Sequence, residues 1–60
     1  MKVGEIWNDK TDGSKVKIWM LEYDKTSGKD MVFVEYTPEG NTGFGLERMV
    51  FLEHFEKCED

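Results

Sequence analysis

His54 and Cys58 stand four residues apart, and they are the chain's one histidine and one cysteine. On a helix that spacing would bring an imidazole and a thiol onto one face, the start of a cysteine nucleophile with its base or of a metal site. The segment HFEKC (54–58) reads as a short strand instead. A zinc ion takes three or four protein ligands, and a lone His–Cys pair does not supply them. Ser14 and Ser27 sit in polar loops without a histidine beside them in sequence. Gly43-Phe44-Gly45 lacks the following helix start with Lys and Ser/Thr that a phosphate loop requires. The expectation is a chain with no catalytic residues, no metal and no cofactor, which acts by binding.

The aromatic residues carry that binding chemistry. Aromatic-lined grooves take proline-rich peptides, and an aromatic cage with an acid takes a methylated ammonium group. Trp7, Trp19, Tyr23, Tyr36 and Phe44 are the candidates for either task, although the register derived below buries Tyr36 and Phe44 and leaves no complete cage. Asp9 and Asp12 supply an acidic loop in outline.

These side chains must be positioned by strands. The chain has 60 residues, 38% of them apolar, rich in Val, Ile, Phe, Trp and Tyr and without Ala, a composition that favours strands. Its length makes one domain, residues 1–60. Residues 3–8, 15–23, 31–37, 42–46 and 54–58 read as strands, with loops at 9–14 and 24–30. The segment ERMVFL (47–52) is too short for a free helix and fits one helical turn before the last strand. Five short strands with a helical turn predict an all-β small barrel, closed so that no edge is left open.

Register decides which side chains face inward. Thr37-Pro38-Glu39-Gly40 suits a type I turn with Gly40 in the left-handed position of a bulge. That pairs Tyr36 with Thr42, Val34 with Phe44, and Val32 with Leu46. Closing the other hairpin around residue 27 sets Met20 against Val34 and Ile18 against Tyr36. The predicted core is then Ile6, Val16, Ile18, Met20, Val32, Val34, Tyr36, Phe44, Leu46, Phe51, Leu52 and Phe55. The opposite face carries Trp19, Leu21, Tyr23, Met31 and Phe33, beside the bare backbone of Gly43 and Gly45 and with Lys17 and Glu35 at one end. That face is the expected partner-binding surface, for another protein or a second copy of the chain. The competing expectation is that a strong bend in the long strand folds it into a second small core.

Eight Lys and Arg against thirteen Asp and Glu give a net charge of −5. Phosphate binders usually carry a basic footprint, so nucleic acid is disfavoured as a partner. Glu53, Glu56, Glu59 and Asp60 crowd the C-terminus, which raises a DNA-mimicking inhibitor as one alternative. One cysteine permits no internal disulfide, and the first fifteen residues hold no apolar run of a secretion signal. A membrane span needs about 20 apolar residues, and no such run exists. The expected location is the cytoplasm.

The order of GEIW (4–7), DGSKVKI (12–18), DMVFVEY (30–36) and RMVFLEHFEK (48–57) resembles small SH3-like barrel proteins of bacteriophages and prophages. The resemblance covers about half the chain and concerns the fold. It implies a five-stranded SH3-like barrel and, for many such proteins, an accessory role in which a host protein is bound in the host cytoplasm. DGSKVKI also resembles KOW and Tudor-type barrels, which implies nucleic acid or modified peptides as the alternative ligand. The acidic charge departs from the KOW pattern.

Overall fold

The computed structural model describes residues 1–36 and 43–58. The chain runs β1 (Ile6–Asp9), β2 (Lys15–Asp24), β3 (Lys29–Tyr36), β4 (Gly43–Glu47), α1 (Arg48–His54) and β5 (Phe55–Lys57). All pairings are antiparallel, in the order β4-β3-β2-β1-β5. This is the expected all-β architecture of five strands with a short helix before the last. It differs from the expectation in one respect: among the described residues the sheet is not closed. β4 and β5 end the order without bonding to one another. The helix joins them instead and packs on β3, β4 and β5.

Two loops make the hairpins, and they are built alike. Asp9-Lys10-Thr11-Asp12-Gly13 links β1 to β2, and Asp24-Lys25-Thr26-Ser27-Gly28 links β2 to β3. In each, the Asp carboxylate accepts the N–H of the Thr two residues on, at 2.8 and 2.9 Å. The Asp carbonyl accepts the N–H of the Gly four residues on, at 2.8 and 2.7 Å. Both glycines lie in the left-handed region, with φ of 76° and 72°, where a Cβ is disfavoured. The same five-residue pattern, Asp-Lys-Thr-x-Gly, therefore specifies both reversals. The turn assigned to Thr37–Gly40 lies outside the described residues.

The β3–β4 register is the predicted one, with Val34 opposite Phe44 and Val32 opposite Leu46. The β2–β3 register is not. Ile18 pairs with Val34 and Val16 with Tyr36, two residues from the expected partners. The ladder then shifts between Ile18 and Met20, so that Met20 pairs with Phe33 and Leu21 with Val32. Trp19 and Met20 together oppose one residue. An inserted residue of this kind leaves the strand paired but reverses its alternation beyond that point.

The core is Trp7, Val16, Ile18, Val32, Val34, Phe51 and Phe55, with Tyr36, Phe44 and Leu46 packed against it half-buried. Trp7 was expected among the binding aromatics; it is 8% exposed and meets Phe51 edge-on with centroids 4.9 Å apart. Phe51 stacks on Phe55 at 4.7 Å, because residues four apart at the end of a helix point the same way. Three predicted core residues move out. Leu52 is 40% exposed, since a helix of seven residues turns little more than its Phe51 side to the sheet. Met20 is carried to the far side by the bulge, and Ile6 pairs with Lys17 on that side; both are half-buried.

Candidate functional site: the outer face of the sheet

The helix covers one face of the sheet. The opposite face carries Ile6 from β1, Lys17, Trp19, Met20 and Glu22 from β2, Met31, Phe33 and Glu35 from β3, and Gly43, Gly45 and Glu47 from β4, as the pairings Ile6–Lys17–Glu35–Gly43, Met20–Phe33–Gly45 and Glu22–Met31–Glu47 require. Trp19 is 48% exposed and its ring lies 6.0 Å from that of Phe33, tilted by 55°. Phe33 in turn fills the space above Gly45: a Cβ built there would stand 2.6 Å from the Phe33 ring. The absence of a side chain at position 45 is what leaves room for the Phe33 ring over β4, where it meets the tilted Trp19 ring.

The five residues expected to form one binding face do not share one. Trp19, Met31 and Phe33 lie outward. Leu21 pairs with core residue Val32, and Tyr23 pairs with Asp30 two places further on, so both point to the helix side. The bulge at Trp19–Met20 is the cause, because strict alternation holds only in an uninterrupted ladder. Leu21 and Tyr23, 39% and 57% exposed, reach past the end of the core. There they line an open groove of about 370 Å³ with Met1, Glu22, Asp30, Met31, Val32 and Arg48. The expectation that strand bending would fold the outer face into a second core meets a different outcome: Trp19 and Phe33 cover each other, and no further layer of described residues lies over them.

The aromatic cage does not assemble. Tyr36 and Phe44 lie 5.7 Å apart against the core, Trp7 is buried, and Trp19 and Tyr23 are on opposite faces. His54 and Cys58 are separated by the extended strand β5. The His54 carbonyl accepts the N–H of Lys10, and the Cys58 N–H donates to the Ile6 carbonyl. The Cys58 thiol, half-buried, lies 3.3 Å from the Lys15 ammonium. Among the described residues no group of three or more His, Cys, Asp or Glu is placed to hold a metal ion, and no helix is long and apolar enough to cross a membrane.

Two features were not anticipated from the residues. Met20 joins the outer face, a consequence of the bulge that no residue type announces. Glu5 is the second. Its carboxylate accepts the Lys2 N–H at 3.0 Å and the Trp7 indole N–H at 3.2 Å, and pairs with the Lys57 ammonium at 3.1 Å. The Lys2 N–H is the largest cause, followed by Lys57, that holds its pKa down at about 2 against an ordinary 4.5. Glu5 thus ties the first turn, the core tryptophan and the last strand together.

Comparison with known protein families, with curated proteins and with solved structures returns no significant match. The fold and the exposed aromatic pair define the class: a small antiparallel all-β domain with one sheet face under the helix and the other covered by no described residue.

Proposed function

We propose that this chain is a non-catalytic protein-binding module whose outer sheet face, centred on Trp19 and Phe33, seats a protein partner. One observation carries the reading: a half-exposed tryptophan whose ring meets that of a phenylalanine at 6.0 Å, on a sheet face that no described residue covers. Trp is among the residues that most often dominate protein interfaces, and apolar groups gathered on one face mark interaction surfaces more than scattered ones do. Gly43, exposed beside the aromatic pair, lowers the relief at that edge of the face. The resemblance to phage and prophage barrels supports a narrower version, an accessory protein that binds a host protein in the cytoplasm.

The test is affinity capture from a bacterial lysate by the wild-type chain, Trp19→Ala and Phe33→Ala, with circular dichroism on each. Loss of the captured protein by both variants, with the fold retained, supports the reading. Equal capture by all three removes the outer face from it.

A further inference from the structure

We infer that the outer face also forms a two-fold interface between two copies of this chain; the inference rests on the reading of that face as protein-binding and names one partner for it. The charge pattern points there. Along β2 the outward residues run Lys17, then the bulge pair Trp19 and Met20, then Glu22. The charge changes sign across the aromatic centre. Lys17 and Glu22 are exposed, and neither has an ion-pair partner among the described residues; the pairs there are Lys29–Glu47 and Lys57–Glu5. Across the ladder Glu35 stands beside Lys17 and Met31 beside Glu22, so the acidic end of β2 faces an apolar neighbour.

A surface that meets its own copy about a two-fold axis must be self-complementary. An axis lying between two stacked sheets, at right angles to the strands and passing the bulge, reverses β2. Lys17 of each copy then comes over Glu22 of the other, twice by symmetry, and the Trp19–Phe33 platforms meet at the centre. Charged rim pairs around an aromatic centre set the register of such an interface. The size of the chain fits as well. Among the described residues its core holds seven buried side chains, and small domains often gain stability by oligomerisation. A typical interface takes about 800 Å² per partner, near a fifth of the 4301 Å² that the chain exposes.

The experiment is sedimentation equilibrium over a concentration series, at low and high salt, on the wild type, Lys17→Glu, Glu22→Lys and an equimolar mixture of the two variants. The wild type is expected to dimerise. Each variant alone places like charges opposite one another twice and should dimerise about tenfold more weakly or worse. The mixture restores both opposite-charge pairs in a heterodimer and should recover wild-type affinity. Both residues are exposed, so circular dichroism should be unchanged. A wild type that stays monomeric throughout overturns the inference, and so does a dimer indifferent to the exchanges. In the first case, capture of a different protein that is lost in Trp19→Ala would leave the binding face standing without the dimer. If Trp19→Ala changes neither capture nor association, both readings fall together.

Discussion

The Phe33 ring lies where a side chain at position 45 would be: a Cβ on Gly45 would fall 2.6 Å from one ring carbon and 2.8 Å from the next. Such separations are closer than carbon atoms tolerate, so Gly45→Ala must push the ring off the sheet. Overpacking of this kind costs about 1–3 kcal/mol. Because Phe33 is half-buried and can swing outward, the low end of that range is expected. Gly43→Ala should cost more, since its Cβ would meet the Val34 carbonyl, which is backbone and cannot swing aside. Urea midpoints of the two variants check the order. A Gly45→Ala/Phe33→Ala double variant should be less destabilised than the sum of its parts, as expected for residues in contact.

The two Asp-Lys-Thr-x-Gly turns make a second prediction. Gly13 and Gly28 hold φ near +75°, and an L-residue pays about 1–2 kcal/mol for that conformation. Nothing crowds Gly13, and the nearest group to a Cβ on Gly28 is the Tyr23 hydroxyl at 3.7 Å. The whole penalty is therefore conformational. Gly13→Ala and Gly28→Ala should each lose about 1 kcal/mol or slightly more, by nearly the same amount. Gly→Asn at either site should lose less, because Asn tolerates the left-handed region. Thermal unfolding of the four variants measures this directly.

The strands, the helix before the last of them and the β3–β4 register were legible because apolar residues alternate there without interruption. The core residues Val16, Ile18, Val32 and Val34 follow from that alternation. The division of the outer face was not legible. A bulge adds one residue, and KVKIWMLEY alternates in apolar character so weakly past Trp19 that either phase satisfies it. Trp7 was misplaced for a related reason: tryptophan serves core and interface alike, and a first strand of four residues gives too few positions to fix its phase. Strand count alone suggests a closed barrel, whereas closure depends on two edges meeting. Here α1 occupies the position between β4 and β5.

That division can be tested by substitution. If Trp19 and Phe33 form the binding platform while Leu21 and Tyr23 point to the helix side, the two pairs should behave differently. Trp19→Ala should lower partner affinity by about 2 kcal/mol or more, the size of an interface anchor. Its effect on stability should be about 1 kcal/mol or less, since half of the side chain is already in water. Leu21→Ser and Tyr23→Ser should leave that affinity within experimental error. Phe51→Ala sets the upper reference for stability: burial is complete, and a loss of about 3–5 kcal/mol is expected. Calorimetric titration and chemical unfolding on one set of proteins separate these outcomes. Equal loss of affinity in all three surface variants would mean that strand β2 bears its side chains on a single face after all.

Acid should expose the role of Glu5. Its carboxyl is held down at about 2 from an ordinary 4.5, first by the Lys2 N–H and then by Lys57. A lowered folded-state value means that the unfolded chain binds the proton more readily. The contribution to stability is then fully present above about pH 4.5 and is lost as pH falls toward 2. Asp12 and Asp24 act in the same sense: the N–H groups of Ser14 and of Thr26 hold their pKa values below 3.8. Glu5→Gln should therefore be less stable than the wild type by a constant margin from pH 7 to 5. The margin should shrink between pH 4.5 and 2 and all but vanish below. Since the backbone N–H is the larger cause, Lys57→Ala should lose less than Glu5→Gln, and about 1 M salt should narrow the Glu5→Gln margin only in part. Urea midpoints across that pH range give the comparison, and a margin that persists at pH 2 would show that the shape of Glu5, and not its charge, fastens the first turn to the last strand.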